Sequence, residues 1–326
     1  MSNRGATPHC PVHRVRTGHR NPVRILRDGR VVPRHARVAG VRIPAKVAVG
    51  SGLAFVFGTS VIAALRHRNL GQVDYKLALM FIVGMTSGIK VGEYVVLWLE
   101  ATGMADIVVG TAYVLLLATV GLFTFRDSRG SDDDGASSLP ERFEVLQIPP
   151  MVSISGGVEI SVWLTLGIAL FVGILSGFLG VGGGFLLMPA MVYVLGVPTV
   201  VAVGTDVLQI TVSGGFGAFS YAQNGAVELA VVAPLLAGSA LGARIGAAAT
   251  NLTDEDDIKG YFAAMLLAGS VAVASNRVGD ALGIHLLDQI SLVLIFGSAV
   301  VVAAAVVYSA LVNLRERESP SVSTSD

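Results

Sequence analysis

The sequence predicts an all-α, polytopic helical membrane protein of two homologous halves, with about 7–9 membrane segments and one glycine-broken helix. Three observations predict it. Hydrophobic residues make up 53 % of the 326 and charged residues only 14 %, with a mean hydropathy of +0.69. A soluble domain of that size needs more polar surface. The apolar residues fall in blocks long enough to cross a bilayer as helices, not in the alternating ten-residue segments of a β-barrel. Lastly, the chain repeats itself at a spacing of 154 residues.

Taken in order, the apolar blocks run from Val47 to Leu65, Leu77 to Leu99 and Ile107 to Phe125. Residues 126–158 are polar and rich in turn formers, and so read as an aqueous loop between the halves. Apolarity resumes at Ser161 and continues through Leu179, a glycine cluster and a short block from Phe185 to Leu195. Further spans follow near 200–222, 226–249, 259–276 and 288–313, before a polar tail at 314–326. That is seven full spans plus the broken segment. The domain plan is therefore a segment 1–42, a first membrane repeat at 43–125, the loop, and a second repeat at 159–313.

The repeat is visible residue by residue. "IPAKVAVGS" at 43–51 matches "VPTVVAVGT" at 197–205, and in the same ungapped register five glycines coincide. Gly50, Gly71, Gly84, Gly88 and Gly92 fall on Gly204, Gly225, Gly238, Gly242 and Gly246. Pro44 falls on Pro198, Asp74 on Glu228 and Lys90 on Arg244. Duplicated halves around a central site are the usual build of secondary transporters.

Residues 1–42 do not fit that plan. They hold ten arginines, four of the six histidines and one acid, Asp28, where the repeat calls for an apolar glycine-rich segment. No apolar signal-peptide core is present. Two readings stand: a basic arm touching anionic lipid or nucleic acid, or a translation of that stretch in a wrong frame or from a wrong start. The second is the expectation, because matching resumes abruptly at Ile43. Reading the other frames of the coding DNA tests it.

The densest signal is "GILSGFLGVGGGFLLMP" at 173–189, six glycines and a proline inside a run from Ser161 to Thr205 without one charged side chain. Hydrocarbon cannot hydrogen-bond a bare peptide group, so irregular backbone survives in a membrane only when buried in protein or lining a wet cavity. Gly182, Gly183 and Gly184 permit positive φ and close approach. A half-helix starting near Phe185, with Pro189 near its first turn, would aim unpaired N–H groups into the membrane interior. Such a start suits an anion. Gly173 and Gly177 form a GxxxG face, for which close helix packing is the competing reading.

Charges inside a bilayer are costly and seldom accidental. Asp206, directly after "AVGT", is either a proton or cation carrier or a helix N-cap. Lys90 and Arg244 either draw an anion inward or reach to the headgroups, and Glu93 is one turn from Lys90 and suited to pair with it. Thr205 and its repeat mate Ser51, with Ser176 and Gln209, offer neutral donors to an oxyanion or else tie helices together. Enzymatic chemistry finds no support. The histidines outside 1–42, His67 and His285, sit near span ends, Cys10 is the single cysteine, and no P-loop is present.

The pattern Gly173, Gly177, Gly180, Gly182, Gly183, Gly184, Phe185, Pro189 and Ala190, followed by Gly196, Val197, Pro198, Ala202, Val203, Gly204 and Thr205, resembles the sulfite exporter TauE/SafE family of membrane permeases. With "NGAVE", "LLAGSALGARIGA" and the first-half motifs, the resemblance covers roughly 43–313. Two departures are the missing first-repeat glycine motif and Asp206, where the family usually carries a small hydroxylated residue. The resemblance implies a multi-pass cell-membrane permease for sulfite, a sulfonate or a related small anion. The expected substrate-binding set is Gly180, Gly182, Gly183, Gly184, Phe185, Pro189, Thr205, Ser51 and Gln209. Asp206, Lys90 and Arg244 are the expected coupling or gating residues. No cofactor, metal or nucleic acid is expected. The partners are the anion, the lipid bilayer and, as an open point, further copies of the chain. An anion channel or a non-transporting membrane partner protein are the other readings.

Overall fold

The computed structural model describes residues 43–67, 73–128, 149–154, 159–250 and 255–318. The 1–42 segment, most of the 126–158 loop and the end of the tail lie outside the described residues. Nine helices follow one another among them. They are α1 (Ala45–His67), α2 (Tyr75–Ala101), α3 (Ala105–Asp127), α4 (Val162–Leu179), α5 (Gly184–Pro189), α6 (Thr199–Gln223), α7 (Leu229–Thr250), α8 (Glu255–Leu282) and α9 (His285–Glu318). Seven are long and apolar enough to cross a membrane. The two shorter apolar helical stretches are Gly184–Val194 and Leu229–Ala243. Most large apolar side chains of α8 and α9 face outward, as lipid-facing helices require.

The helix starts keep the sequence offset. α1 and α6 begin at Ala45 and Thr199, and α2 and α7 at Tyr75 and Leu229, each pair 154 residues apart. Packing follows the duplication as well. α1 lies on α6 and α3 on α8, so repeat-equivalent helices meet each other, while α2 packs along α4.

That last contact is glycine against glycine. A Cβ on Gly88 would stand 2.7 Å from Ile174 N, and one on Gly92 2.7 Å from Phe178 N. From the other side, a Cβ on Gly173 would stand 2.6 Å from Met85 O. Backbone meets backbone, which only small residues permit. Gly173 and Gly177 therefore take the packing role.

Two buried clusters flank the centre of the bundle. One joins Leu77, Phe81 and Met85 of α2 to Ala169 and Val172 of α4 and to Leu187 and Met191. The other joins Val49 and Leu53 of α1 to Val96, Val109, Leu179 and Tyr221. One feature departs from an all-helical plan. A two-stranded antiparallel hairpin, β1 (Met151–Ser153) and β2 (Glu159–Ser161), closes the end of the first cluster. Its Ile154 and Ile160 are buried against Leu195 and Val197. The apolar residues there are too few for a span, and the partly buried strands pair as a short ribbon instead. α9 also runs to Glu318, past the expected start of the polar tail at 314.

Candidate functional site

α4 ends where glycine conformations begin. Gly180, Gly182 and Gly183 have φ of 77°, 75° and 78°, left-handed values that side-chain-bearing residues rarely adopt. Helix resumes at Gly184, continues to Pro189, and passes into a π-helical turn at Ala190–Val194. Pro189 is thus the last residue of α5, not part of its first turn. Lacking an N–H, it cannot carry the regular ladder onward, and the wider turn absorbs the loss.

Four helices surround the break. The backbone of Gly180 abuts Val49 on α1, and a Cβ on Gly52 of α1 would stand 2.6 Å from Gly180 O. A Cβ on Gly183 would lie 2.8 Å from Met85 Cε on α2 and 3.4 Å from Ser176 Cβ on α4. One on Gly184 would lie 2.9 Å from Asp206 Oδ2 on α6. Gly180, Gly182, Gly183 and Ser176 are buried. The bare backbone therefore lies inside protein, as the hydrocarbon argument requires.

The two sides of the break differ in their polar partners. The Tyr221 hydroxyl donates to Gly177 O at 2.6 Å, and the Tyr113 hydroxyl donates to Leu179 O. Both are carbonyls of the last turn of α4. On the far side, the first amides of a helix have no partner within it. Gly183 O accepts from Leu186 N and Leu187 N, at 3.0 and 2.9 Å. The carbonyls of Gly177, Leu179 and Gly183 are occupied, and Asp206 and Ser176 lie beside Gly184 and Gly183 at the start of α5.

Asp206 is not a helix N-cap. α6 starts at Thr199 after Pro198, so Asp206 lies two turns inside. Its Oδ1 accepts from Gln209 Nε2 at 3.0 Å, and Gln209 Oε1 in turn accepts from Ser213 Oγ at 3.0 Å. Gln209 and Ser213 are wholly buried.

Thr205 and Ser51 have matching bonds across the repeat. Thr205 Oγ1 accepts from Asp74 N at 3.1 Å, and Ser51 Oγ accepts from Glu228 N at 3.0 Å. The donors are themselves repeat mates at the starts of α2 and α7. Thr205 thus ties α6 to the start of α2, and Ser51 ties the equivalent helix α1 to the start of α7.

Of the remaining expected residues, Phe185 is half-buried at the start of α5 and Pro189 is exposed. Lys90 is paired between α2 and α6. Its Nζ donates to Glu93 Oε2 at 2.7 Å and to Ser220 Oγ at 2.8 Å. Glu93 is fully buried and also accepts from Ser220 Oγ at 2.5 Å and Asn224 Nδ2 at 2.8 Å. The Lys90–Glu93 pairing expected from one-turn spacing is present, within a network between α2 and α6 that spacing could not reveal. The Arg244 side chain lies outside the described residues. Sequence reasoning also missed the two tyrosine caps. Their signal was a phenol within an apolar helix, Tyr113 near the middle of α3 and Tyr221 near the end of α6, each needing a partner when buried.

A duplicated bundle of long apolar helices with a buried, broken segment is the build of a multi-pass membrane transporter. The family model described as sulfite exporter TauE/SafE matches residues 35–273, and the chain belongs to that family. It is similar to "Probable membrane transporter protein YunE" of Bacillus subtilis (strain 168), with 28 % identity over 203 residues, 62 % of this chain and 71 % of the relative. It also resembles a "Probable membrane transporter protein" of Xylella fastidiosa (strain 9a5c), with 24 % identity over 209 residues, 64 % and 71 % of the two chains. No solved structure matches the chain significantly.

Proposed function

We propose that this transporter is a secondary carrier of a small sulfur-containing anion, sulfite or an organosulfonate, with the break between α4 and α5 as its binding site. The observation that carries the reading is the asymmetry of the break. The last-turn carbonyls of Gly177 and Leu179 before it are engaged by Tyr221 and Tyr113, while the glycine backbone that opens α5 lies among four helices. Donors without competing acceptors suit an anion. The family's description supports sulfite in particular.

The proton is the coupling ion in this proposal, and Asp206 carries it. An ionised carboxylate beside Gly184 repels an incoming anion, and a protonated one does not. Proton and anion therefore enter together. Conversion between outward and inward access occurs by movement of the two repeats about the break.

The test is flux into proteoliposomes loaded against a sulfite gradient. Saturable, gradient-driven uptake that an imposed pH gradient accelerates is the expected result. Non-saturating flux indicates a channel, and no flux of sulfite or any sulfonate removes the proposal. Asp206→Asn should retain sulfite exchange and lose the response to the pH gradient. An unchanged pH response in that variant excludes Asp206 as the proton carrier.

A further inference from the structure

Buried hydroxyls in this protein follow clear habits. Thr165 and Ser213 donate to carbonyls four residues back, at 2.9 and 2.8 Å. Ser220 donates to Glu93, and Ser51 and Thr205 accept backbone amides from the opposite repeat. Ser176 does none of these things. It is wholly buried, and among the described residues its Oγ is the buried hydroxyl oxygen left without a partner. Turning back along its own helix is the cheap remedy for a serine in an apolar helix. An unpaired polar group at such a position calls for a reason.

Its position supplies one. Ser176 is one turn before the break, and its carbonyl accepts from Gly180 N at 2.7 Å. The side chain lies against Gly183, which has no Cβ to fill that face and whose φ of 78° favours glycine. Two last-turn carbonyls of α4, Gly177 O and Leu179 O, already accept tyrosine hydroxyls. The Ser176 Oγ has no partner among the described residues, and its side chain lies beside the glycine that precedes α5.

We propose that Ser176 is a specificity-determining residue of the anion site, its Oγ–H held unpaired so that it donates to an oxygen of the bound oxyanion. This rests on the reading of the break as the transport site. A neutral donor binds the anion directionally without the lasting hold of a fixed cation. The hydroxyl is satisfied only when the ligand is present, so the site binds best those anions that present an oxygen acceptor towards α4.

The experiment uses the full chain in proteoliposomes, with sulfite as probe, and follows Ser176→Ala and Ser176→Cys. Removing the hydroxyl should raise the KM for sulfite about tenfold (about 1.4 kcal/mol) with maximal flux changed less than about twofold, and Ser176→Cys should fall between. In ligand-free detergent solution, Ser176→Ala should melt at or above the wild-type temperature, since no existing hydrogen bond is lost. Sulfite should raise the melting temperature of the wild type and have little effect on Ser176→Ala. An unchanged KM in Ser176→Ala, with the wild type active, overturns the role of Ser176 and leaves the transport site standing. A lowered ligand-free melting temperature also overturns it, because the hydroxyl is then structural. A wild type that neither moves sulfite nor gains stability from it or any sulfonate takes down both readings together.

Discussion

α2 and α7 have the same glycine spacing and opposite surroundings. Gly84, Gly88 and Gly92 on α2 are buried and pressed against the backbone of α4. Their repeat mates on α7, Gly238, Gly242 and Gly246, have nothing within 4 Å of a Cβ position among the described residues, and Leu235 and Leu241 beside them are 50 % and 69 % exposed. By the repeat offset α4 would fall on residues 8–25, which lie outside the described residues. The comparison teaches that a stripe of glycines is a notch. It becomes a constraint only when a neighbouring helix fills it.

The largest expected effect comes from filling the occupied notch. Gly88→Leu drives a side chain into the α4 main chain, which cannot move aside as a flexible side chain would. Destabilisation above about 4 kcal/mol is expected, measured as loss of monodisperse protein in detergent. The mate substitution Gly242→Leu should change stability by less than about 0.5 kcal/mol. Equal losses in the two variants would break the comparison and show that α7's face is filled.

Next in size is Gly183→Leu. A side chain at this left-handed position costs about 1–2 kcal/mol in backbone conformation alone and meets Met85 and Val172. Membrane insertion should survive, because the spans are unchanged, while sulfite flux should be lost. Full flux in this variant would show that the triple glycine only packs.

The smallest effect sharpens the symmetry itself. Thr205→Val and Ser51→Ala each remove the acceptor of one helix-start amide in the opposite repeat. Each should lower stability by about 1 kcal/mol. The two losses should be similar and add in the double variant. A large loss from one and none from the other would mean that the halves are equivalent in sequence only.

How much was legible differs from residue to residue. The break at Gly180–Gly184 could be read directly, because a glycine-rich segment amid charge-free sequence has few ways to exist in hydrocarbon. The equal spacing of α1 with α6 and α2 with α7 was also legible, since identity at a fixed offset needs no coordinates. Asp206 was ambiguous. Its neighbours suit a cap, but α6 begins seven residues earlier because Pro198 sets the entry to the helix. The start of α5 was legible to within one residue, but not that its α-helical stretch ends at Pro189 and passes into a wider turn.

Partners distant in sequence were not legible at all. Tyr221 meets Gly177 across 44 residues, Thr205 meets Asp74 across 131, and Ser51 meets Glu228 across 177. No local pattern encodes such pairings. The isolation of Ser176 belongs to the same class, since a missing partner can be recognised only once every neighbour is known.

By itself the sequence determined that this chain crosses a membrane, that its halves are copies, and where its backbone must break. Transfer of apolar residues and the cost of unpaired peptide groups act locally and leave their mark in composition and spacing. Only the tertiary structure decided which glycines bear a neighbour's weight, which hydroxyls hold helices together, and which buried one among the described residues has no partner. Those outcomes depend on which surfaces meet, and contact between surfaces is a property of the folded whole.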